Sequence, residues 1–415
     1  MRQLTNQHRA ELRQLATTLL TKTTQYTLRG ELSPLEDDEA KSQIVDTAQS
    51  IADMLDDGSR ERALDDCAKI GEMAAKQLFN SWGVFQQIPV QGSILYTDLA
   101  RRVGCDLQLL VRLAWMLNST GILKQIGDDS VAHTKNSKIF LNDNPDGDLT
   151  QIMFTHGLVS YAQLGEYFDS YGLREPQGPT HVPFTFAYGQ PAKTIWDVSH
   201  QNPTRKRTFM RSMTAMGSVA PVCGLYDFSW IAGALKCEDT ERVLLVDIGG
   251  GNGHALRSIC ASGVPLNRCV LQDLNAVISE VAKAQDMACL NPRLNLMAID
   301  MHKEQPVTGA LVYYIRYCLH DYGDDAAVNI IKIIAGAMSP DSKLLIAEQV
   351  MSNPPSAHAA ALDLLMLNVG GKDRTRDAWT KVVFEAGLEI VKIWSSVRDP
   401  HAVIECVKTS EIGVA

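Results

Sequence analysis

At 415 residues, 45% hydrophobic and 21% charged, the chain is longer than one ordinary core requires and fits two soluble domains with ample apolar surface to bury. A net charge of −9 supplies no general attraction to phosphate backbones or anionic lipid, which argues against nucleic acid and membrane as partners. The nine cysteines are scattered without a C-x-x-C, so neither a disulfide framework nor a metal site is indicated. With charges throughout the first twenty residues and no run of roughly 20 apolar residues, a soluble, cytoplasmic protein with reduced thiols is expected.

From Gln3 to about Lys22 the residues Leu4, Leu12, Leu15, Leu19 and Leu20 recur near helical spacing. Ser42 to Leu55 repeats the pattern after a break at Ser33-Pro34, and a third helix is predicted from Arg60 to Trp82. The segment SILYTDLARRVGCDLQLLVRLAWMLNSTGILKQIGDDSVAHTKNSKIFL then reads as a short helix, a turn at Gly104, a longer helix and two strands joined by a Gly-Asp-Asp turn. That order predicts a winged helix-turn-helix, a motif often used on DNA. Its second helix, about Leu107 to Leu117, carries one Arg among largely apolar residues, where a groove-reading helix displays several polar and basic side chains. Asn142-Asp143-Asn144-Pro145-Asp146-Gly147-Asp148 reads as an acidic connector. Helical stretches are predicted from Thr150 to about Tyr171, carrying His156, and from Arg205 to Ala220.

A shift follows Gly233. Apolar runs VLLVDI, CVLQDL, LNLMAID, ALVYYIRY and KLLIAEQV, then a pair near Leu388 to Ile393 and His401 to Val407, alternate with helical segments. This predicts an α/β fold, a Rossmann-like doubly wound sheet buried on both faces. The chain is thereby divided into a helical extension (1–60), a winged-helix domain (61–145), a helical pocket region (146–233) and the α/β domain (234–415).

In VLLVDIGGGNGHALRSI a strand ends at Asp247, the cluster Gly249, Gly250, Gly251 and Gly253 follows, and a helix begins near His254 or Ala255. Glycines let backbone approach a ligand at the carboxyl end of a strand. The acidic residue precedes the glycines, where it would repel the pyrophosphate of a dinucleotide but favour a sulfonium and its α-amino group. Asp273 closes the next strand, suited to two ribose hydroxyls, and Asp300-Met301 closes the third, suited to an adenine amino group and ring. The cofactor these residues call for is S-adenosylmethionine.

DIGGGNG, LQDL, IDM, YYIRYCLHDYGDD, IAEQV and GGKDRTRDAWTKVVFEAG together resemble the O-methyltransferases of plant phenolics and of fungal polyketides and other secondary metabolites, over about Gly83 to Val407. The resemblance implies a class I methyltransferase domain behind a mostly helical dimerisation domain. It also implies cofactor contacts at Gly249, Asp273, Asp300, Met301 and Arg316. His320 stands where the family has its catalytic base, flanked by Glu348 and by Asp373, where the family more often has Glu. Read in isolation, His320 is equally a residue at a helix start with Asp321 as its cap. Histidine near a carboxylate suits removal of a proton from a phenol of pKa about 10.

Fungal relatives of this kind include S-adenosylmethionine-dependent pericyclases, which do not transfer the methyl group. The substitution of Asp at 373, the long extension before residue 60, and His156 keep that reading open, with His156 and His320 as an acid–base pair; the alternative for His156 is a core or interface residue. A third reading is a silent binding protein using the winged helix. The expected small-molecule pocket is lined by Phe154, Phe184, Phe186, Trp196, Met210, Met213, Met216 and Met366, and the helices before residue 83 are expected to pair in a homodimer.

Overall fold

The computed structural model describes residues 5–28, 34–55, 60–142, 144–219, 222–234, 241–283, 294–395 and 401–409. Residues 1–138 and 139–415 form two compact units. In the first, helices Asn6–Leu28 and Pro34–Leu55 pack on one another, and the helix Arg60–Ser81 packs on Leu107–Ser119 through Gly71, where a Cβ would come within 3.2 Å of Met116 Sδ. Helix Tyr96–Val103 ends on Gly104 in the left-handed region (φ 72°), and Asp106 caps the next helix by accepting from the Leu109 amide. Strands β1 (Ile94–Leu95), β2 (Leu123–Ile126) and β3 (Ser130–His133) form an antiparallel sheet in the order β1-β3-β2. The outward face of Leu107–Ser119 presents Leu109, Arg112 and Trp115, a surface with one cation.

The expected acidic connector lies at the start of the second unit. Residues 142–148 do not form a plain connector, because Asn144 caps a helix, Pro145–Ile152, by accepting from the Asp146 amide, with Pro145 in the first turn. Proline at that position loses no hydrogen bond, so a turn-like composition there marks a helix start. The helix then widens into a π-helical turn, Met153–Leu158, which holds His156, before Val159–Tyr161 and Leu164–Tyr171.

The α/β sheet contains β4 (Leu245–Ile248), β5 (Cys269–Asp273), β6 (Asn295–Ala298), β7 (Val312–Arg316), β8 (Lys343–Met351), β9 (Arg374–Thr375), β10 (Leu388–Ser395) and β11 (His401–Lys408). Its order is β10-β11-β8-β7-β4-β5-β6, with β9 beside the end of β8. Strands β8, β7, β4, β5 and β6 are parallel, and β11 and β10 add an antiparallel edge. The period-2 alternation of side chains explains the apolar runs. Val246, Ile248, Tyr313, Ile315, Leu344 and Ile346 enter one core with helices Asp324–Ala337 and Arg376–Glu385, whereas Leu245, Val312, Tyr314, Leu345 and Ala347 enter the other with His254–Cys260 and Asn275–Lys283. Sequence order runs outward through β5 and β6 on one side of β4 and through β7 and β8 on the other. The carboxyl ends of β4 and β7 therefore flank the switch point, the usual ligand crevice of such sheets.

Candidate active site

The glycine turn leaves β4 as expected, but its glycines serve different ends. A Cβ on Gly249 would meet Cys318 Sγ at 2.6 Å, and one on Gly250 would lie within 2.5 Å of Asp247 Oδ2 and closer still to Leu271. Those two glycines are required by the chain's own packing. Gly251 (φ 56°) has open space where its Cβ would be, so it keeps the side toward a ligand clear. Asp247 is 1% exposed beneath the turn, and its Oδ2 has no hydrogen-bond partner. Burial, reinforced by Asp273 and opposed by Arg316, pushes its carboxyl up to about 7. A buried, unpartnered carboxylate oxygen fits a cationic, amine-bearing ligand.

Asp273 accepts from the Gly251 amide through Oδ2 (2.9 Å) and from the Leu274 amide through Oδ1 (2.7 Å), each oxygen retaining a lone pair for a hydroxyl. Gln272 beside it exchanges two hydrogen bonds with Gln305, tying β5 to the segment after Asp300. Asp300 accepts from the His302 amide and pairs with Lys303 at 2.8 Å, which holds its carboxyl below the ordinary range. Met301 packs on the edge of the core. Arg316 closes β7 with its guanidinium over the Tyr317 ring and 2.7 Å from His254 Nε2.

The second cluster lies at the ends of β7 and β8. Asp321 is not a helix cap: His320 sits in a 3-10 turn, Leu319–Asp321, and the helix Asp324–Ala337 starts at Gly323 with no side-chain cap. Glu348, fully buried, directs Oε1 at the amides of Cys318 (2.9 Å), Leu319 (2.8 Å) and His320 (3.4 Å). From the other side, Lys372 N donates to the His320 carbonyl, and Arg374 donates to the carbonyls of Leu319 and Tyr322 while pairing with Asp324. A Cβ on Gly371 would overlap the His320 carbonyl oxygen, so only glycine admits this approach.

Within that frame the imidazole meets three carboxylates. Nδ1 lies 3.5 Å from Glu348 Oε2 and 3.6 Å from Asp373 Oδ1, and Nε2 lies 3.7 Å from Asp321 Oδ1. Burial lowers the histidine's affinity for its proton, but Glu348, Asp373 and Asp321 outweigh it, and the net value is pushed up to about 10. The short Asp373 keeps its place because Gln349 Nε2 donates to its Oδ2 at 2.9 Å and its amide bonds Asp363. The sequence offers Asp321 only as a helix cap and gives no role to Gln349, Asp363 or Arg374. The polar Gln next to Glu348 in a buried strand was a usable signal; Asp363, ten residues away on the helix Ala357–Val369, carried none.

His156 is 4% exposed, stacked on Phe184 with ring centroids 4.5 Å apart, and bonded through Nδ1 to Thr155 Oγ1. Burial, then Arg205, pushes it down to about 4, so it is neutral at physiological pH. Of the expected pocket lining, Phe184 is buried beside Val182 and Val198, Phe186 packs edge-on against Tyr167 and Tyr171, and Trp196 is 41% exposed against Phe209. Phe154 and Met366 are partly buried, and the side chains of Met210, Met213 and Met216 lie outside the described residues. Among the described residues no group of His, Cys, Asp and Glu is placed to hold a metal ion, and no helix is long and apolar enough to cross a membrane.

This fold is that of the class I methyltransferases. The crystal structure of OxaC in complex with SAH and oxaline is 23% identical, with a TM-score of 0.83 over 97% of this chain and 100% of that one. The structure of LepI with SAM is 19% identical, with a TM-score of 0.74 over 96% of this chain and 100% of that one. The chain belongs to the O-methyltransferase family. The family's domain model matches residues 170–389, and methyltransferase cfoD of Aspergillus candidus is 35% identical over 382 residues, 90% of this chain and 93% of that protein. The protein is therefore a methyltransferase-family enzyme whose cofactor is S-adenosylmethionine.

Proposed function

We propose that the protein methylates a hydroxyl of a phenolic, polyketide or related secondary metabolite, with His320 as the group that takes and holds the hydroxyl proton. The observation that carries this reading is the imidazole fixed among Glu348, Asp373 and Asp321 at 3.5–3.7 Å. S-adenosylmethionine, when bound, supplies an electrophilic methyl group on a sulfonium. Gly249, Gly250, Gly251 and Gly253 form its turn, Asp247 favours its positive end from beneath, and Asp273, Asp300, Met301 and Arg316 hold its nucleoside side.

His320 at about 10 lies well above neutral, so only its unprotonated fraction, which grows as pH rises, takes the proton of a phenol whose own pKa is about 10. The buried Glu348 and Asp373 sit on Nδ1, whereas Nε2 has the one more exposed carboxylate, Asp321, beside it at 3.7 Å, so Nε2 is the nitrogen proposed to address the substrate oxygen. At neutral pH the imidazole is mostly charged. An acidic enol that arrives ionised then needs no base and pairs with the imidazolium instead. Alignment and exclusion of water carry most of the remaining barrier reduction. Phe154, Phe186, Trp196 and Met366 are proposed pocket residues, and the helices of residues 6–81 are the proposed dimer contact.

The pericyclase reading draws no support from His156, which at about 4 has no proton to give at neutral pH; it is assigned a hydrogen-bonding role at most. The decisive experiment incubates the protein with methyl-labelled S-adenosylmethionine and a panel of phenols, hydroxypyridones and enols. Label in an O-methyl product, lost with His320→Ala, is the expected result. Turnover of a substrate without S-adenosylhomocysteine release, or full methylation by His320→Ala, sinks the reading.

A further inference from the structure

Arg316 is 8% exposed, yet its Nη1 lies 2.7 Å from Nε2 of His254, an exposed residue that opens the helix after the glycine turn. A guanidinium has donors only and keeps its charge throughout the accessible pH range. A contact this short is therefore a hydrogen bond only if Nε2 offers a lone pair, which fixes His254 as the neutral tautomer protonated on Nδ1. We infer that His254 is a positioning residue for the cofactor: its unprotonated Nε2 accepts from Arg316 and holds the guanidinium at the crevice between β4 and β7.

The imidazole is itself well placed to do this. Asn252 Oδ1 accepts from the His254 amide at 3.2 Å, and Gly253 (φ 75°) turns the chain so that the helix starts here. The Tyr317 ring, centroid 5.0 Å from the guanidinium carbon, confines Arg316 from the side. The charged groups facing the pair include Arg257 on the histidine's own helix, Arg316 on β7, and Asp247 on β4, which in turn senses Asp273 on β5. Burial, then Arg316 and Arg257, holds His254 below its ordinary value. Acid that protonates it places two cations in contact, and the guanidinium is released.

This inference rests on the proposal that Arg316 belongs to the cofactor site. Calorimetric titration with S-adenosylmethionine tests both, using wild type, His254→Ala, His254→Gln and Arg316→Ala. At about pH 8, losing one hydrogen bond to a charged donor should weaken binding by His254→Ala about tenfold or more. His254→Gln offers an amide oxygen to the same N–H and should stay within about twofold of wild type. On stepwise acidification to below the ordinary histidine range the wild type should lose more affinity than His254→Gln, whose remaining slope belongs to Asp247. Unchanged binding by His254→Ala alongside impaired Arg316→Ala, or His254→Gln as weak as His254→Ala, or equal acid sensitivity of wild type and His254→Gln, overturns the inference. Unchanged binding by Arg316→Ala overturns instead the placing of Arg316 at the cofactor. Thermal unfolding of each free variant separates loss of binding from loss of fold.

Discussion

Replacing Asp247 with Asn should make the cofactor-free protein more stable while weakening cofactor binding. The carboxyl is 1% exposed with an unpartnered Oδ2, and its pKa is raised from 3.8 to about 7, chiefly by burial. A folded-state value above the unfolded one means that the folded chain holds the proton more tightly. The associated stabilisation is complete below about 3.8, declines as pH rises, and is gone above about 7. The ionised form therefore costs at most about 4 kcal/mol relative to the protonated one. Asn has the same shape and no charge, but its amide is also buried beside Gly250 with few partners, so the net gain expected at pH 8 is about 1–3 kcal/mol. That corresponds to a rise in Tm of roughly 3–8 °C. Differential scanning calorimetry of the free protein should show this gain shrinking toward pH 5, where the wild-type residue is itself protonated when folded. Titration with S-adenosylmethionine at pH 8 should show affinity reduced about tenfold or more, as expected for loss of a charge-assisted contact. A variant no more stable than wild type at pH 8, or equally stabilised at both pH values, refutes the reasoning.

Glu348→Ala removes the acceptor of three backbone amides and the nearest counter-charge of His320, and should cost about 3–5 kcal/mol in a denaturant titration; Glu348→Gln should recover part of that stability while moving the pKa of His320 downward, read by NMR of the imidazole. Gly250→Ala must displace Leu271 or Asp247 and should cost several times more in Tm than Gly251→Ala, which meets only a backbone strain of about 1 kcal/mol. The pKa of His320, raised from 6.5 to about 10, gives stabilisation that is complete below about 6.5 and lost above about 10. The Tm should accordingly fall across that window in wild type and less in His320→Gln. Over the same window, methylation of an ordinary phenol should accelerate with pH while that of an already ionised enol should not, and a flat phenol profile would dismiss His320 as the base.

The central strands β4, β5, β7 and β8 were legible because strands covered on both faces need apolar residues at nearly every position, and acids at strand ends broke that pattern at Asp247, Asp273 and near Asp300. The helix start at Pro145 was not legible, since Asn, Pro, Asp and Gly are shared by turns and by capped helix termini. Nor was the π-helical turn around His156, because a single wide turn changes no residue spacing enough to stand out from an α-helix. The three-carboxylate setting of His320 was half visible: Glu348 and Asp373 came with the motif, whereas Asp321 reads as a cap until the 3-10 turn shows which way it points. Arg374 and Gly371 hold that turn from a segment 50 residues away, a relation that depends on how β8 and β9 align.

Glu348 grips the main chain of residues 318–320 through one oxygen and addresses the imidazole with the other. The grip does not depend on which side chain occupies position 320. A lineage could therefore discard the histidine, keep the loop and the cofactor crevice intact, and fill the vacated space with a group of different reactivity. The scaffold in this way separates the inheritance of its shape from the inheritance of its chemistry, and position 320 is where the two are free to part.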